Sequence, residues 1–395
     1  MNKIRIFILS LLVLGPLASC KNAVKETLGI VEKDRLSCNA VSRASSVVNH
    51  KNLETILLDE IDIIRTNKEI SESFLGMVKI SGGVFEMGGD TPDGFEDMPK
   101  TALPQRDELP KHNVQISDFW MDEHKVTNAK FTEFINATGY ITIAERPILW
   151  EDIKNQVPPG TPKPPEENLL PGSLVFNYAD KNAARDNSQN WWAFVKGANW
   201  SHPKGPGSSI EDLDNYPVVH ISWYDAIAYA KWAEKRLPTE AEYAMRAGLT
   251  NQMYPWGNEK INEGEFYANH LQGEFPYNNT KDDGFEYLAP IKSFPSNGYD
   301  LYDIAGNVWE WINDWYSAKY YYELEQSKSM SINPQGPEEG FETQNNFIKN
   351  KSIKGGSFLC HDDWCSGYRN ARRMLNKPDT SMEHVGFRCV RDSKN

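Results

Sequence analysis

The spacing of apolar residues changes character along this 395-residue chain. Lys3 and Arg5 precede a short apolar core, Ile6 to Leu14, which has the length of a signal-peptide core and is too short for a membrane-spanning helix. Residues 20–75 are polar and lack tryptophan, and they read as a tether. Within it, Leu53–Ile64 (LETILLDEIDII) repeats apolar residues at three- and four-residue intervals and predicts one short amphipathic helix. The packed domain is expected over 76–392. Alternation from Met77 to Gly88 around Gly82-Gly83 predicts a strand, a turn and a second strand, and Val114 to Met121 predicts another strand. Thr127 is placed to cap a helix to about Ala137 that Gly139 stops. Ser222 and Asp225 form a capping box for a helix to about Lys235. Thr239 and Glu242, after Pro238, form a second box for a helix ending near Gly248. Residues 156–172, rich in Pro, Gly and Glu, predict a surface loop. From 249 onward Gly, Asn, Pro and aromatic residues predict long irregular connections that need extra ties to hold still.

Composition sharpens this picture. All 12 tryptophans lie between Trp120 and Trp364, which locates the core. The net charge of −13, with no basic stripe, argues against a nucleic-acid partner. Leu17-Ala18-Ser19-Cys20 reads as a bacterial lipoprotein cleavage site, so residues 1–19 would be removed and Cys20 lipidated. A signal peptide cleaved without lipidation is the alternative. Either way the chain is expected to be exported. With lipidation it would be tethered to the bacterial cell envelope, at the periplasmic face or the cell surface, in a compartment where disulfides form.

Only 5 cysteines occur, and two stand close together in GGSFLCHDDWC, Cys360 and Cys365. Spacing alone leaves several readings open: a structural disulfide, half of a zinc site, a redox couple, or a two-thiolate site for a soft metal such as Cu(I). A zinc site would need two more ligands, and although Cys389, His361 and His384 are available, no second paired motif appears.

The flanking residues narrow the choice. The run GGSFLCHDDWCSGYRNARR, then Pro378-Asp379-Thr380-Ser381 and Gly386-Phe387-Arg388-Cys389, resembles the C-terminal signature of the formylglycine-generating enzymes (sulfatase-modifying factors). So do Lys196–Trp200 with His202-Pro203, Pro217–Trp223, Arg236–Glu242 (RLPTEAE), Pro255–Asn258 (PWGN) and Gly306–Trp311 (GNVWEW), in order over about residues 77–392. The resemblance implies a single compact α+β domain with short helices, antiparallel strands and much irregular loop. It implies that Cys360 and Cys365 hold one Cu(I), with O2 as co-substrate. The reaction converts a cysteine in a Cys-x-Pro-x-Arg stretch of an unfolded sulfatase to Cα-formylglycine, and a monomer is expected.

Further site residues follow from the same resemblance. Ser357 would lie near the oxygen site, although a serine after two glycines also suits a plain turn. His361 would tune a thiolate or sit as a solvated turn residue. Trp309 and Trp364 would wall the copper pocket or pack in the core. One calcium would be held by Asn269 and Asp283 with the carbonyls of His270 and Phe285. A second would be held by Asp303 and Glu310 with the carbonyls of Gly306 and Val308. Asp282-Asp283-Gly284 by itself reads as an acidic turn, and Asp303 stands where the family has Asn, with sodium or an empty site as the alternatives to calcium. Ala230 replaces a family cysteine and Asn370 another, so Cys389 is expected to be a free buried thiol, and Cys38 has no evident partner. A non-catalytic lipoprotein of the same fold, serving binding or motility assembly, is the rival reading, but it would be expected to lack the cysteine pair. An iron-dependent branch would need a His-x-x-x-His helix, which none of the 8 histidines supplies. A thiol–disulfide exchanger would show Cys-x-x-Cys.

Overall fold

The computed structural model describes residues 74–393, apart from 92, 96, 155–159, 245–251, 262 and 342–348. The expected leader, Cys20, the tether with its Leu53–Ile64 helix, Cys38 and the end of the third helix near Gly248 lie outside the described residues. Among the described residues no helix is long and apolar enough to cross a membrane.

Strand β1 (Met77–Ile80) and strand β2 (Gly83–Met87) flank the Gly82 turn as expected, but they join different sheets. The expected single strand from Val114 to Met121 is in fact two, β3 (His112–Ile116) and β4 (Phe119–Asp122). The break has a local cause. Asp118 Oδ1 accepts a hydrogen bond from Gly82 N–H (2.8 Å), and Asn333 Oδ1 accepts one from Ser117 N–H (2.8 Å), so the backbone at 117–118 is turned away from ladder pairing. A side chain at Gly82 would run into the carbonyl of Ile116, which is why the turn closes only on glycine. Strand β3 then pairs with β2, while β4 pairs with β1, both antiparallel.

Helix α1 (Asn128–Thr138) starts at Thr127, whose hydroxyl accepts from Lys130 N–H, and stops at Gly139 in the left-handed region (φ 67°). Helix α2 (Trp223–Trp232) carries the full Ser222–Asp225 capping box, and Asp225 Oδ1 also takes the Tyr140 hydroxyl and Ile143 N–H, each at 3.0 Å. It ends three residues before Lys235 because Glu234 turns left-handed (φ 57°). Helix α3 (Glu240–Ala244) opens on the predicted Thr239–Glu242 box.

Strands β5 (Gly172–Phe176) and β6 (Trp192–Lys196) form an antiparallel pair. Strand β7 (Trp309–Trp315) is the spine of a four-stranded sheet with β8 (Lys351–Lys354), β9 (Met374–Asn376) and β10 (Val385–Gly386). Strand β11 (Val390–Asp392) returns to pair with β4. The sheets are not wholly antiparallel. Strand β10 runs parallel to β7, and Ser331–Ile332 runs parallel to β3. These small sheets and short helices, joined by long irregular segments, make the α+β architecture expected. Tryptophans fasten its centre: fully buried Trp311 donates to Ile221 O (2.8 Å), and Trp223 donates to Ile312 O (3.0 Å), so α2 and β7 are stitched crosswise.

Replacing Ser222 by Ala removes the cap of α2 and is expected to lower stability by about 1 kcal/mol, read as a lower urea midpoint with an unchanged slope.

Candidate active site

Two adjacent glycines set the cysteine loop. Gly355 (φ 93°) and Gly356 (φ 78°) are both left-handed. A Cβ on Gly355 would meet the Tyr243 hydroxyl, and one on Gly356 would come within 2.7 Å of the Gly367 backbone. Gly367 in turn lies under the Trp309 indole, where a Cβ would sit 2.5 Å from the ring. The two chain segments therefore touch backbone to backbone, and Trp309 lies over the contact.

From there the loop closes on itself. Cys360 N–H donates to Ser357 O (2.9 Å), Leu359 N–H to Ser357 Oγ (3.3 Å), and Ser357 N–H points at Cys360 Sγ (3.4 Å). The carbonyl of His361 accepts from the N–H groups of Trp364, Cys365 and Ser366, which returns Cys365 to Cys360. Their Cα atoms are 5.4 Å apart and the sulfurs are joined as a disulfide. Cys389 is a free buried thiol, and burial raises its pKa well above the usual range.

Beside the pair lies a cavity of about 250 Å³ whose lining includes Cys365, Ser357, Trp309, Trp364, Trp191 and Trp192. One rim is made by Arg185. Its guanidinium grips Asp363 through both carboxylate oxygens (2.7 and 2.9 Å) and lies 4.8 Å from the Trp364 ring centre. His361 also turns to the Asp363 carboxylate, which its neighbours His361 and Arg185 hold well below the usual range. His361 is not among the residues that line the cavity, and it meets the cysteine loop through its carbonyl, which accepts from Cys365 N–H (3.2 Å).

Lining residues that the sequence reading left unassigned include Arg185, Trp191 and Trp192, while His384 was named only as an available zinc ligand. The rings of Trp192 and His384 lie 4.8 Å apart, and neither Trp192 Nε1 nor His384 Nδ1 has a hydrogen-bond partner among the described residues. Two unsatisfied polar atoms on one buried wall are costly, at roughly 1–3 kcal/mol each, unless a ligand meets them. The adjacent pair Trp191-Trp192 was the only sequence signal available. Burial, with His220 nearby, lowers the His384 pKa to about 3, so its imidazole is neutral near pH 7.

The two expected calcium positions differ. At the first, Asn269 is buried and its Oδ1 has no partner among the described residues, while Asp283 accepts from His270 N–H (3.2 Å) and Phe285 N–H (2.9 Å). The orphaned Asn269 amide oxygen is a donor of the kind a hard cation takes, while the His270 carbonyl accepts from Gln272 Nε2 and the Phe285 carbonyl from Asn279 Nδ2 (3.3 Å). At the second, Glu310 is already engaged. Arg388 Nε donates to Oε2 (2.6 Å), Lys125 Nζ to Oε1 (2.7 Å) and the Tyr243 hydroxyl to Oε1 (2.9 Å). Asp303 gives its carbonyl to Lys125 and Arg388 and its Oδ2 to Lys292 N–H (2.8 Å). With both Glu310 oxygens and the Asp303 carbonyl engaged by Lys125 and Arg388, these residues do not fit a divalent ion. No cluster of three or more His, Cys, Asp or Glu able to hold a metal occurs among the described residues.

Two buried histidines give the protein an acid limit. Burial lowers His220 to about 3 and His384 to about 3, against 6.5 for the free side chain. Below pH 6.5 the unfolded chain takes up protons that the folded chain refuses. Stability is therefore expected to fall as pH drops from about 6.5, by up to about 1.4 kcal/mol per pH unit for each histidine. Urea melts of wild type and His384→Asn across this range check it, because the variant should lose less stability on acidification.

Comparison with known proteins agrees with this picture. The family model for the sulfatase-modifying factor enzyme 1-like domain matches residues 65–393. The chain is 44% identical over 330 residues to a formylglycine-generating enzyme of Thermomonospora curvata, covering 83% of this chain and 96% of that one. It is 41% identical to the formylglycine-generating enzyme of Streptomyces coelicolor, covering 80% and 90%. It is also 35% identical to the inactive Cα-formylglycine-generating enzyme 2 of Bos taurus, covering 80% and 88%. Among solved structures, PvdO of Pseudomonas aeruginosa shares the fold (TM-score 0.50, 21% identity, covering 80% of this chain and 94% of that one). The chain belongs to the sulfatase-modifying factor, or formylglycine-generating enzyme, family.

Proposed function

We propose that this protein is a formylglycine-generating oxidase that converts a sulfatase cysteine, in a Cys-x-Pro-x-Arg segment, to Cα-formylglycine with Cu(I) and O2. The observation that carries the reading is the cysteine pair at the wall of an aromatic cavity: Cys365 lines it, and Cys360 lies behind within reach of Ser357 N–H. Reduced, the pair would offer two soft donors, and one Cu(I) bound there would supply redox chemistry with O2.

The other residues then have definite tasks. The Trp191, Trp192, Trp309 and Trp364 rings exclude water from an extended peptide, and neutral His384 and the Trp192 N–H offer hydrogen bonds to its polar groups. Ser357 N–H favours a thiolate at Cys360. Ser357 also lines the cavity, where its hydroxyl would serve a reduced oxygen species. The overall balance is fixed by chemistry. The substrate thiol with its methylene carbon, one O2 and two external thiols give the aldehyde, hydrogen sulfide, a disulfide and water. A thiol reductant is therefore needed both to open the Cys360–Cys365 bridge and to complete the reduction of O2.

The test is to supply reduced protein with Cu(I), O2, a thiol and a Cys-x-Pro-x-Arg peptide, and to measure the peptide mass. The expected result is the mass loss of thiol-to-aldehyde conversion, abolished in Cys365→Ser. No conversion by reduced, copper-loaded wild type sinks the enzyme reading and favours the non-catalytic alternative. Normal turnover by Cys365→Ser sinks the copper assignment alone.

We further propose that the protein works outside the cytoplasm on sulfatases in transit, tethered through lipidated Cys20. The support is the leader over Met1–Ser19, its small residues before Cys20, and the polar stretch to residue 75. Mass spectrometry of the mature N-terminus should find a diacylglyceryl-modified Cys20; an unmodified residue there ends the anchoring proposal.

A further inference from the structure

The sulfatase-modifying factor resemblance implies two calcium ions, one of them at Asn269 and Asp283. At the other position, three oxygens that could serve a metal face two cationic side chains instead. Lys125 Nζ, fully buried, donates to the Asp303 carbonyl and to Glu310 Oε1 (2.7 Å). Arg388, also fully buried, takes Glu310 Oε2 (2.6 Å) and the carbonyls of Tyr302 (2.9 Å) and Asp303 (3.2 Å). An ammonium satisfies carbonyl and carboxylate oxygens much as a cation does, but it is delivered by the backbone and cannot dissociate. Charge points the same way. Two fixed cations already face the Glu310 carboxylate, and a divalent ion would add two more positive charges where no water reaches to screen them.

We propose that the Lys125 ammonium is a built-in replacement for the metal at the Asp303–Glu310 position, so that this position binds no divalent cation. Calcium, where it binds, is then confined to Asn269 and Asp283. The inference does not depend on whether the chain oxidises cysteine. It makes one half of the site's scaffold insensitive to chelators, because Glu310 adjoins Trp309 on β7 and Trp309 walls the cavity.

Crystals of the full chain grown in excess calcium, with anomalous data collected at long wavelength, test this directly. The expected result is Lys125 side-chain density reaching Glu310 with no anomalous peak beside it. A calcium peak bonded to Glu310 overturns the proposal. An empty position at Asn269 and Asp283 would count against calcium there and leave this inference standing. A second measurement compares thermal melting of Asp283→Asn with that of the double variant Asp283→Asn, Lys125→Ala, each with and without millimolar calcium. The double variant is expected to melt several degrees higher with calcium and Asp283→Asn is not. A folded double variant with no calcium response overturns the replacement. If the double variant does not fold, the anomalous data decide.

Discussion

Glu310 bears its charge with no exposed surface, and much of the domain is arranged to permit it. A carboxylate taken from water costs several kcal/mol unless fixed cations and hydrogen bonds replace the lost hydration. Here the replacements come from three distant parts of the chain: Lys125 before α1, Tyr243 in α3 and Arg388 near the C-terminal end. Burial works against ionisation of Glu310, and the Arg388 and Lys125 charges outweigh it, holding its pKa below the usual value. A second buried knot of the same kind, Arg373 with Glu240, fixes α3 beside the same sheet. Removing one partner of either knot would leave an uncompensated buried charge, so each acts as a registration point for segments with little regular structure.

Where the charge knots fix distant segments, glycine fixes the loops that carry the cysteine pair. The left-handed pair Gly355-Gly356 and the bare backbone of Gly367 let two loops approach closely enough for Trp309 to lie across them. Ser357, Cys360 and Cys365 derive their positions from that contact. Other lining residues reach the cavity from β6, from the β7 sheet, from the loop that holds Arg185, and from segments 101–107 and 382–384.

The parts legible in the sequence were those governed by neighbours. Thr127, Ser222 and Thr239 announce their helices because a cap acts over three residues. The two thiols of the cysteine pair sit in one turn, and the free thiol at Cys389 was expected from the family resemblance, with Ala230 at the place of its partner. What escaped depends on contacts between remote segments. The division of Val114–Met121 follows from Asp118 reaching Gly82. The polar wall exists only because folding sets Trp192 against His384, and Lys125 carries no local signal of its burial. The second metal position was expected from the family resemblance, and its oxygen donors are present with the Lys125 ammonium hydrogen-bonded to two of them.

A cavity of about 250 Å³ has a consequence for timing. It admits a few side chains of an extended strand and no folded surface. Under the proposed function, each sulfatase molecule therefore faces a race between collapse of its own chain and capture by this wall of tryptophans. Once the target cysteine is packed inside the sulfatase, no affinity at the cavity can recover it. Yield would then be set by how long the client stays unfolded within reach, which makes proximity to the site of export matter as much as turnover.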